Sequence, residues 1–335
     1  MESQKKNVFV VHGHDKRALK EIEEIINKDL NANPVILKSL SGQSWSLIEK
    51  LERATKNISF GIAILTPDDE GRKIKDTELK PRVRQNVLFE LGYLYALIGR
   101  DKVLSLLKKE VDIPTDILGV NREQFQKSVY EQIEKVIDAF ETACNIQKPE
   151  SIIKFDYKPH KNTDKAWLKL LEKNDWHVVL EGNEKVYPKF KSISDMYQGR
   201  VLNISATHIH QYYMQRQAST IESNCGYVEF VVKKDNPVLY CNVHVRKNNS
   251  QEKDNKWLNI KAGPGTSTPV RSDPEHEWQV YVPHRDLSGD WKVLQVNLPQ
   301  HVHEAFGKNG WVFNQLHAFR IRGNITIAKI KVYRQ

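Results

Sequence analysis

Cysteine is scarce in this chain, with Cys144, Cys225 and Cys241 the three present in 335 residues. They are too few and too far apart for a thiolate metal cage, and free thiols are the expectation, although Cys225 and Cys241 would suit a pair in a secreted protein. Long apolar runs are missing too. No stretch approaches the ~20 apolar residues of a membrane span, and the opening MESQKKNVFVVHGHD holds only VFVV where a signal peptide needs a longer h-region. A cytoplasmic location with no membrane partner is therefore expected. Gly13 stands alone, and Gly42 is followed by Gln43, Ser44 and Trp45, so there is neither a GxGxxG turn nor a lysine-bearing phosphate loop. Dehydrogenase and P-loop chemistry are set aside on that ground. Zinc-finger, KH and RNP signatures are absent as well.

What is present is a globular composition, 39% apolar and 28% charged, in a chain longer than one core usually organises. Two domains are expected: 1–145, a linker at 146–165 marked by the Pro- and Lys-containing QKPESIIKFDYKPHKNTD, and 166–335. Charge supports the division. The first 150 residues balance 24 Lys plus Arg against 24 Asp plus Glu, so the whole +9 lies beyond them, together with ten of the twelve histidines. A polyanionic partner, if there is one, should touch the second part.

The first part alternates strand and helix. Asn7 to His12 reads as a buried strand, followed by the turn Gly13, His14, Asp15 and an amphipathic helix over 16–30 carrying Leu19, Ile22, Ile26 and Leu30. Pro34 to Leu37 is a second strand. Ser44 or Ser46 then caps a helix with Leu47, Ile48 and Leu51, and Glu49 stands three residues after Ser46 as in a capping box. Phe60 to Leu65 and Lys102 to Leu107 are further strands, and Phe125 to Phe140 a closing helix. This order predicts a doubly wound sheet of four or five parallel strands with helices on both faces. Ligands of such folds lie beyond the carboxyl ends of the strands, which nominates His12 to Asp15, the loop at 39–46 and Thr66 to Asp69.

One helix organises the rest. Residues 81–100, PRVRQNVLFELGYLYALIGR, open on a proline suited to a first turn and place Val83, Val87, Leu91, Leu94 and Ile98 at steps of three and four, an inward stripe. Arg82, Asn86 and Glu90 share a neighbouring face, and Phe89, Leu91 and Tyr93 surround Glu90 with apolar groups. Spacing alone leaves two readings of Glu90: a buried ion pair with Arg82 or another arginine, or a pocket carboxylate. His12, His14 and Asp15 lack a third ligand, so no metal site is expected; Asp15 caps the following helix or lines the pocket.

VFVVHGHD, GQSWSLIEKLE, AILTPDDEGR, RVRQNVLFELGYL and DIPTDILGV occur in this order. In that order they resemble bacterial TIR-like proteins of the predicted nucleotide-binding family, related to the TIR effector parts of cyclic-nucleotide-triggered anti-phage systems. The resemblance covers about residues 6–142 and is most specific in the RxRQNVxFELG block. It implies a flavodoxin-like TIR fold that cleaves NAD+ to nicotinamide and an ADP-ribose product, often after ligand-driven oligomerisation, with NAD+ as substrate and no separate cofactor. Glu90 matches the catalytic glutamate. Arg84, Gln85 and Asn86 match the same block, and Thr66, Pro67, Asp68 and Asp69 match the TPDD turn. His12, Gly13, His14, Asp15, Gln43, Trp45, Thr66, Asp68, Arg84 and Asn86 are the candidate substrate-binding residues. Trp45 departs from the small or β-branched residue common there, and either stacks on a nicotinamide or adenine ring or closes a protein interface. An ionised Glu90 against the ribose would stabilise the oxocarbenium-like state, with nucleophilic attack and water activation left open. Arg84 and the Gly13 turn are candidates for the pyrophosphate, Arg84 equally for a structural pair with a carboxylate.

The second part, after Trp167, reads as eight or so short strands from WHVVLEG to FRIRGNITIAKIKVYR, which predicts an all-β sandwich of jelly-roll kind. Its last stretch loosely resembles carbohydrate-binding and galactose-binding-like sandwiches. Trp257, Trp278, Trp291 and Trp311 are core residues or stacking platforms. His208 with His210, and His301 with His303, would each share a face if extended. The expected function is an NAD+ glycohydrolase and anti-phage effector that self-associates and takes an activating cyclic nucleotide, saccharide or protein at its second domain. The alternatives are a noncatalytic TIR-like module signalling by association, and a nucleic-acid binder using the basic second domain.

Overall fold

The computed structural model describes residues 5–37, 46–72, 74–117, 121–155, 171, 175–180, 188–205, 212–233, 238–248, 251–263, 267–269 and 275–334. The chain divides into two compact units, Met1–Gln147 and Lys148–Gln335. The first runs β1 (Asn7–His12), α1 (Lys16–Glu24), β2 (Asn33–Ile36), α2 (Leu47–Ala54), β3 (Ile58–Leu65), β4 (Asp69–Gly71), β5 (Lys80–Arg82), α3 (Gln85–Ile98), β6 (Val103–Lys108), β7 (Arg122–Phe125) and α4 (Ile133–Ala143). Five of these strands form one parallel sheet in the order β2-β1-β3-β6-β7. It is the doubly wound α/β sheet that the alternation predicts.

Alternate residues of the sheet feed two apolar layers, as a strand covered on both faces requires. Phe9, Val11, Ala63, Leu65, Val103 and Leu107 pack with Leu51 and Ala54 of α2 and Val87, Leu91 and Leu94 of α3. On the other face Phe60 meets Phe140 of α4 edge-on, their ring centroids 5.7 Å apart. α3 sits unusually close to the sheet at Gly61, where a Cβ would lie 2.4 Å from the Leu94 side chain. Ser46 caps α2 in a full capping box with Glu49.

Two expectations need correction. The organising helix begins at Gln85, not Pro81: residues 80–82 pair as β5 with β4, and the Pro81 carbonyl accepts from Asp112 N–H at 2.8 Å. That hairpin satisfies the backbone in an extended form that a helix start would forfeit. Phe125 ends the fifth strand and does not open a helix; α4 begins eight residues later, after a short 3₁₀ turn capped by Ser128. The charged stretch between β3 and α3 also carries the short strands β4 and β5.

The second unit contains β8 (Ser151–Lys154), β9 (Trp176–Leu180), β10 (Lys189–Asp195), β11 (Gly199–Ser205), β12 (Tyr212–Gln217), β13 (Tyr227–Lys233) and β14 (Val238–Lys247). It continues with β15 (Lys253–Ala262), β16 (Ser267–Pro269), β17 (Glu277–Val282), β18 (His284–Asp286), β19 (Trp291–Asn297), β20 (Trp311–Arg322) and β21 (Ile325–Tyr333). One sheet has the order β10-β11-β21-β13-β19-β18 with β8 on β21, the other β16-β17-β15-β14-β20-β12-β9. Among the described residues its strand pairings are antiparallel except β15 with β17. Phe230 of one sheet and Phe319 of the other meet edge-on in a shared core with Val228, Val232, Leu239, Val243, Leu258 and Ile330, which makes the unit a β-sandwich. β8 falls inside the stretch 146–165.

Trp291 and Trp311 are buried, whereas Trp257 and Trp278 are half-buried. His301 and His303 do not lie on a strand. They sit on the helix Leu298–Phe306, which Pro299 and the Asn297 cap start, and His301 is buried beside Glu304 at 3.1 Å. His208 and His210 lie outside the described residues. The three cysteines are free. Among the described residues no helix is long and apolar enough to cross a membrane.

Glu222 is the buried node that ties β8 and β12 to the sandwich. It accepts from Arg216 Nη1 at 2.7 Å, Ser151 Oγ at 2.7 Å and Ser219 N–H at 2.8 Å, with its side chain 1% exposed. Burial acts to raise its pKa, but these donors outweigh burial and hold it below the ordinary glutamate value. A depressed carboxylate stabilises the fold above its unfolded pKa and loses that effect as pH falls through the folded one. Glu222→Gln is expected to cost about 3 kcal/mol at neutral pH by leaving Arg216 without its counter-charge. The difference from the parent should shrink once pH drops below the ~4.3 of an unfolded glutamate. Urea unfolding across that range measures both.

Candidate active site

The order of the parallel sheet reverses between β1 and β3, since β2 lies outside β1 and β6 outside β3. Strand connections leave in opposite directions there, so a crevice opens beyond the carboxyl ends of those two strands. Two turns meet at it. The first, Gly13 to Asp15, follows β1; the second, Thr66 to Asp68, follows β3.

Asp68 fastens the turns together. Its Oδ2 accepts from His14 N–H at 3.0 Å, and both carboxylate oxygens lie 3.1 Å from Thr66 Oγ1. Gly13 is buried in this contact: a Cβ there would fall 1.5 Å from Asp68 Oδ2 and 3.1 Å from Thr66 Oγ1. Only glycine fits. His12 Nδ1 donates to the Gly13 carbonyl at 2.7 Å, which steadies the turn further.

Asp15 holds two positions at once. Its Oδ1 caps α1 by accepting from Ala18 N–H at 3.0 Å, and its Oδ2 pairs with Lys108 Nζ at 2.7 Å. Burial works to raise its pKa, but the Ala18 N–H and the Lys108 ammonium prevail and keep it below the ordinary aspartate value. Lys108 ends β6, the strand beside β3, so this pair reaches across the edge of the sheet from β1. Sequence reasoning missed Lys108. It is the first charged residue after the buried run Val103–Leu107, at the strand end where the ligand edge lies, and that position was the available signal.

Arg84 occupies the N-cap position of α3 without a side-chain capping bond, and donates from Nη1 to His14 Nε2 at 2.6 Å. The helix is thereby tethered to the β1 turn, and among the described residues no carboxylate pairs with Arg84. Arg82 pairs with Asp112 at 3.1 Å. Asn86 and Glu90 follow one turn apart on α3, Asn86 exposed and Glu90 half-buried. The apolar surroundings of Glu90 are one-sided: Leu91 is fully buried, but Phe89 is 54% exposed. Gln43 and Trp45 lie outside the described residues. The structure brings together His12, Gly13, His14, Asp15, Thr66, Asp68 and Arg84. The His14 N–H, a natural donor to a phosphate, is already given to Asp68, so this turn binds an anion less readily than a bare glycine loop.

A recess of about 790 Å³ opens at the other end of the strands, lined by residues that include Lys5, Lys6, Asn7, Asn31, Asn57 and Ser59. It lies at the amino ends of β1 and β3, away from the crevice.

The parallel sheet, with a glycine turn locked to a Thr-Pro-Asp-Asp turn at its switch point, is a flavodoxin-like, TIR-like α/β fold. Residues 7–127 match the model of the CAP12/Pycsar effector protein TIR domain. Over these residues the N-terminal domain is similar to the TIR domains of CAP12/Pycsar effectors. Protein YuaY of Escherichia coli K12 is 40% identical over 115 residues, covering 34% of this chain and 38% of YuaY. Protein tirC of Dictyostelium discoideum is 32% identical over 124 residues, 33% of this chain and 60% of tirC. The Pycsar effector protein PaPycTIR of Pseudomonas aeruginosa is 31% identical over 100 residues, 29% of this chain and 31% of that one. The matched segment thus spans between about a third and three fifths of these relatives. The sandwich is loosely similar to the family 11 carbohydrate-binding module of Clostridium thermocellum Lic26A-Cel5E, at 10% identity and a TM-score of 0.27, covering 55% of this chain and 95% of that one. A likeness of that extent assigns no ligand.

Gly13→Ala is expected to displace Asp68 and destabilise the first domain by about 1–3 kcal/mol, the usual cost of overpacking; thermal unfolding checks it. In Lys108→Met, the Asp15 pKa should move up toward the ordinary aspartate value while α1 stays capped, which a carboxyl NMR titration reads directly.

Proposed function

We propose that the first domain cleaves NAD+ to nicotinamide and an ADP-ribose product, and that the protein is an anti-phage effector switched on by ligand binding or self-association. The observation that carries this reading is the block RVRQNVLFELG, residues 82–92, in a domain that matches the CAP12/Pycsar effector TIR model: from Gln85 on it forms the first turns of α3, and its Arg84 is tied to the turn at the switch point. Glu90 is the proposed catalytic residue. His12, Gly13, His14, Asp15, Thr66, Asp68, Arg84 and Asn86, with Gln43 and Trp45, form the proposed binding surface.

The chemistry asks little of the protein beyond positioning and charge. The C1′–N bond breaks and its electron pair neutralises the pyridinium nitrogen, so nicotinamide leaves without a general acid. Positive charge then develops on the ribose, where a carboxylate at the hydroxyls stabilises it, and water adds to C1′ with loss of a proton. A half-buried glutamate supplies that charge with less screening than a surface one.

Self-association is part of the reading. α3 leaves Phe89 and Leu97 exposed at 54% and 47%, and Gly92 and Ala96 are exposed as well. An apolar patch on the helix that carries Glu90 suits a contact with a second copy, which would couple assembly to the site. The second domain receives the activating signal in this scheme. Purely associative signalling, with no turnover, is the reading this same patch would favour if chemistry were absent.

Nicotinamide release by the assembled protein should fall at least ~100-fold in Glu90→Gln, the scale of losing one preorganised electrostatic group, with thermal stability and assembly retained. Undiminished release would remove Glu90 from the mechanism. Phe89→Asp with Leu97→Asp should instead abolish assembly, seen by sedimentation, and release together.

A further inference from the structure

The turn after β1 gathers two cations from two other elements. His14 receives the Arg84 guanidinium from the start of α3 at 2.6 Å, and Asp15, the next residue, receives the Lys108 ammonium from the end of β6 at 2.7 Å. Strand register shows the path Lys108 takes. His12 is level with Ile64, and Ile64 with Leu106, so Lys108 stands level with His14 with β3 between them. Neighbouring strands lie ~4.8 Å apart, which separates β1 from β6 by about 10 Å. The lysine stem therefore crosses the carboxyl end of β3 to reach Asp15, and that end is the floor of the crevice.

The two cations arrive from opposite faces of the sheet. Leu107 packs in the layer with α3, and alternation along β6 turns Lys108 the other way. A crevice at a switch point lies between helices of opposite faces, so an anion entering it meets one cation on each side. Neither cation is used up by its anchor. Lysine has three N–H donors and arginine five, and among the described residues one of each goes to the turn. The Lys108 side chain is 35% exposed. Its counter-charge is shared, because Asp15 also accepts from Ala18 N–H at the positive end of α1. The backbone offers no substitute here, since Asp68 holds the His14 N–H at 3.0 Å.

Cations fixed on adjoining residues and approaching from two sides suit a pair of linked anions better than a single one. A lone carboxylate is matched by one arginine fork, whereas a pyrophosphate presents a second charged group to a point-charge ammonium.

We propose that Lys108 is a substrate-binding residue that, together with Arg84, holds the pyrophosphate of a dinucleotide across the end of β3. The identity of that dinucleotide rests on the cleavage reading; the clamp itself is measured as binding. Calorimetric titration of the full chain with ADP-ribose should show saturable binding, with inorganic pyrophosphate competing for the site. Lys108→Met should weaken ADP-ribose about tenfold, the low end for a charge-assisted hydrogen bond at a part-exposed position. Asp15→Asn should instead tighten it, since asparagine still caps α1 while Lys108 loses its counter-charge. A purely structural pair gives a different pattern, equal damage from either variant, because both break the same bridge. Thermal melting tests the fold of each, and Lys108→Met with the pyrophosphate competition decides the matter if Asp15→Asn does not fold. The proposal is overturned by no saturable binding of ADP-ribose at millimolar concentration, by no competition from pyrophosphate, by an affinity within about twofold of the parent in Lys108→Met, or by equal weakening in the two variants. Nicotinamide release without ADP-ribose binding would sink the clamp and spare the cleavage reading. The expected binding pattern with no release in any assembled state would do the reverse.

Discussion

Asp68 accepts from the His14 N–H and lies against the Thr66 hydroxyl, joining the chain that leaves β1 to the chain that leaves β3. These strands are neighbours in a parallel sheet, so their ends diverge toward helices on opposite faces, and nothing in the sheet's own hydrogen bonding holds the turns together. One carboxylate supplies the link. It can do so only because Gly13 leaves room for it, and the turn so fixed then presents His14 to Arg84 at the start of α3. The position of α3, and of Glu90 on it, is set at one end by this chain of contacts. On the underside it is set by the close approach over Gly61.

Much of this first domain was legible in sequence because parallel strands covered on both faces are written as continuous apolar runs, and its helices as steps of three and four. The capping box at Ser46 and Glu49 was legible for the same reason: its signal is local. Nonlocal contacts were not. Pro81 looks like a helix start until the pairing of residues 80–82 with 69–71 is known, and that pairing is a tertiary fact spread over eight intervening residues. Lys108 likewise carries no mark of its partner Asp15, which is 93 residues away. The histidines at 301 and 303 alternate like a strand. They are helical because Asn297 and Pro299 provide a cap and a first turn, a local cue that was present and outweighed by the surrounding strand pattern.

The sandwich shows how a face can be misjudged from composition. Four tryptophans in strand-like segments look alike in sequence, yet Trp291 is sealed with its indole N–H on Asp195 at 3.0 Å, while Trp257 stands on the outer face of the other sheet against Arg320. Alternation identifies which residues share a face. It does not say which face is the core when both carry aromatics, because the second layer around Trp291, Val201, Val231 and Val293 gives its sheet an apolar outer surface too.

The charge of the second domain is a total, and some of its cations are spent internally. Arg216 is spent on buried Glu222, Lys233 on Asp195 beneath Trp291, and Lys256, 2% exposed, on Asp254 with its ammonium 4.8 Å from the Trp311 ring. Nucleic-acid binding depends on cations that can release counterions from a phosphate chain, and a cation already paired inside a sandwich releases none. What these pairs supply instead is internal satisfaction of charge in a core built from sheet faces.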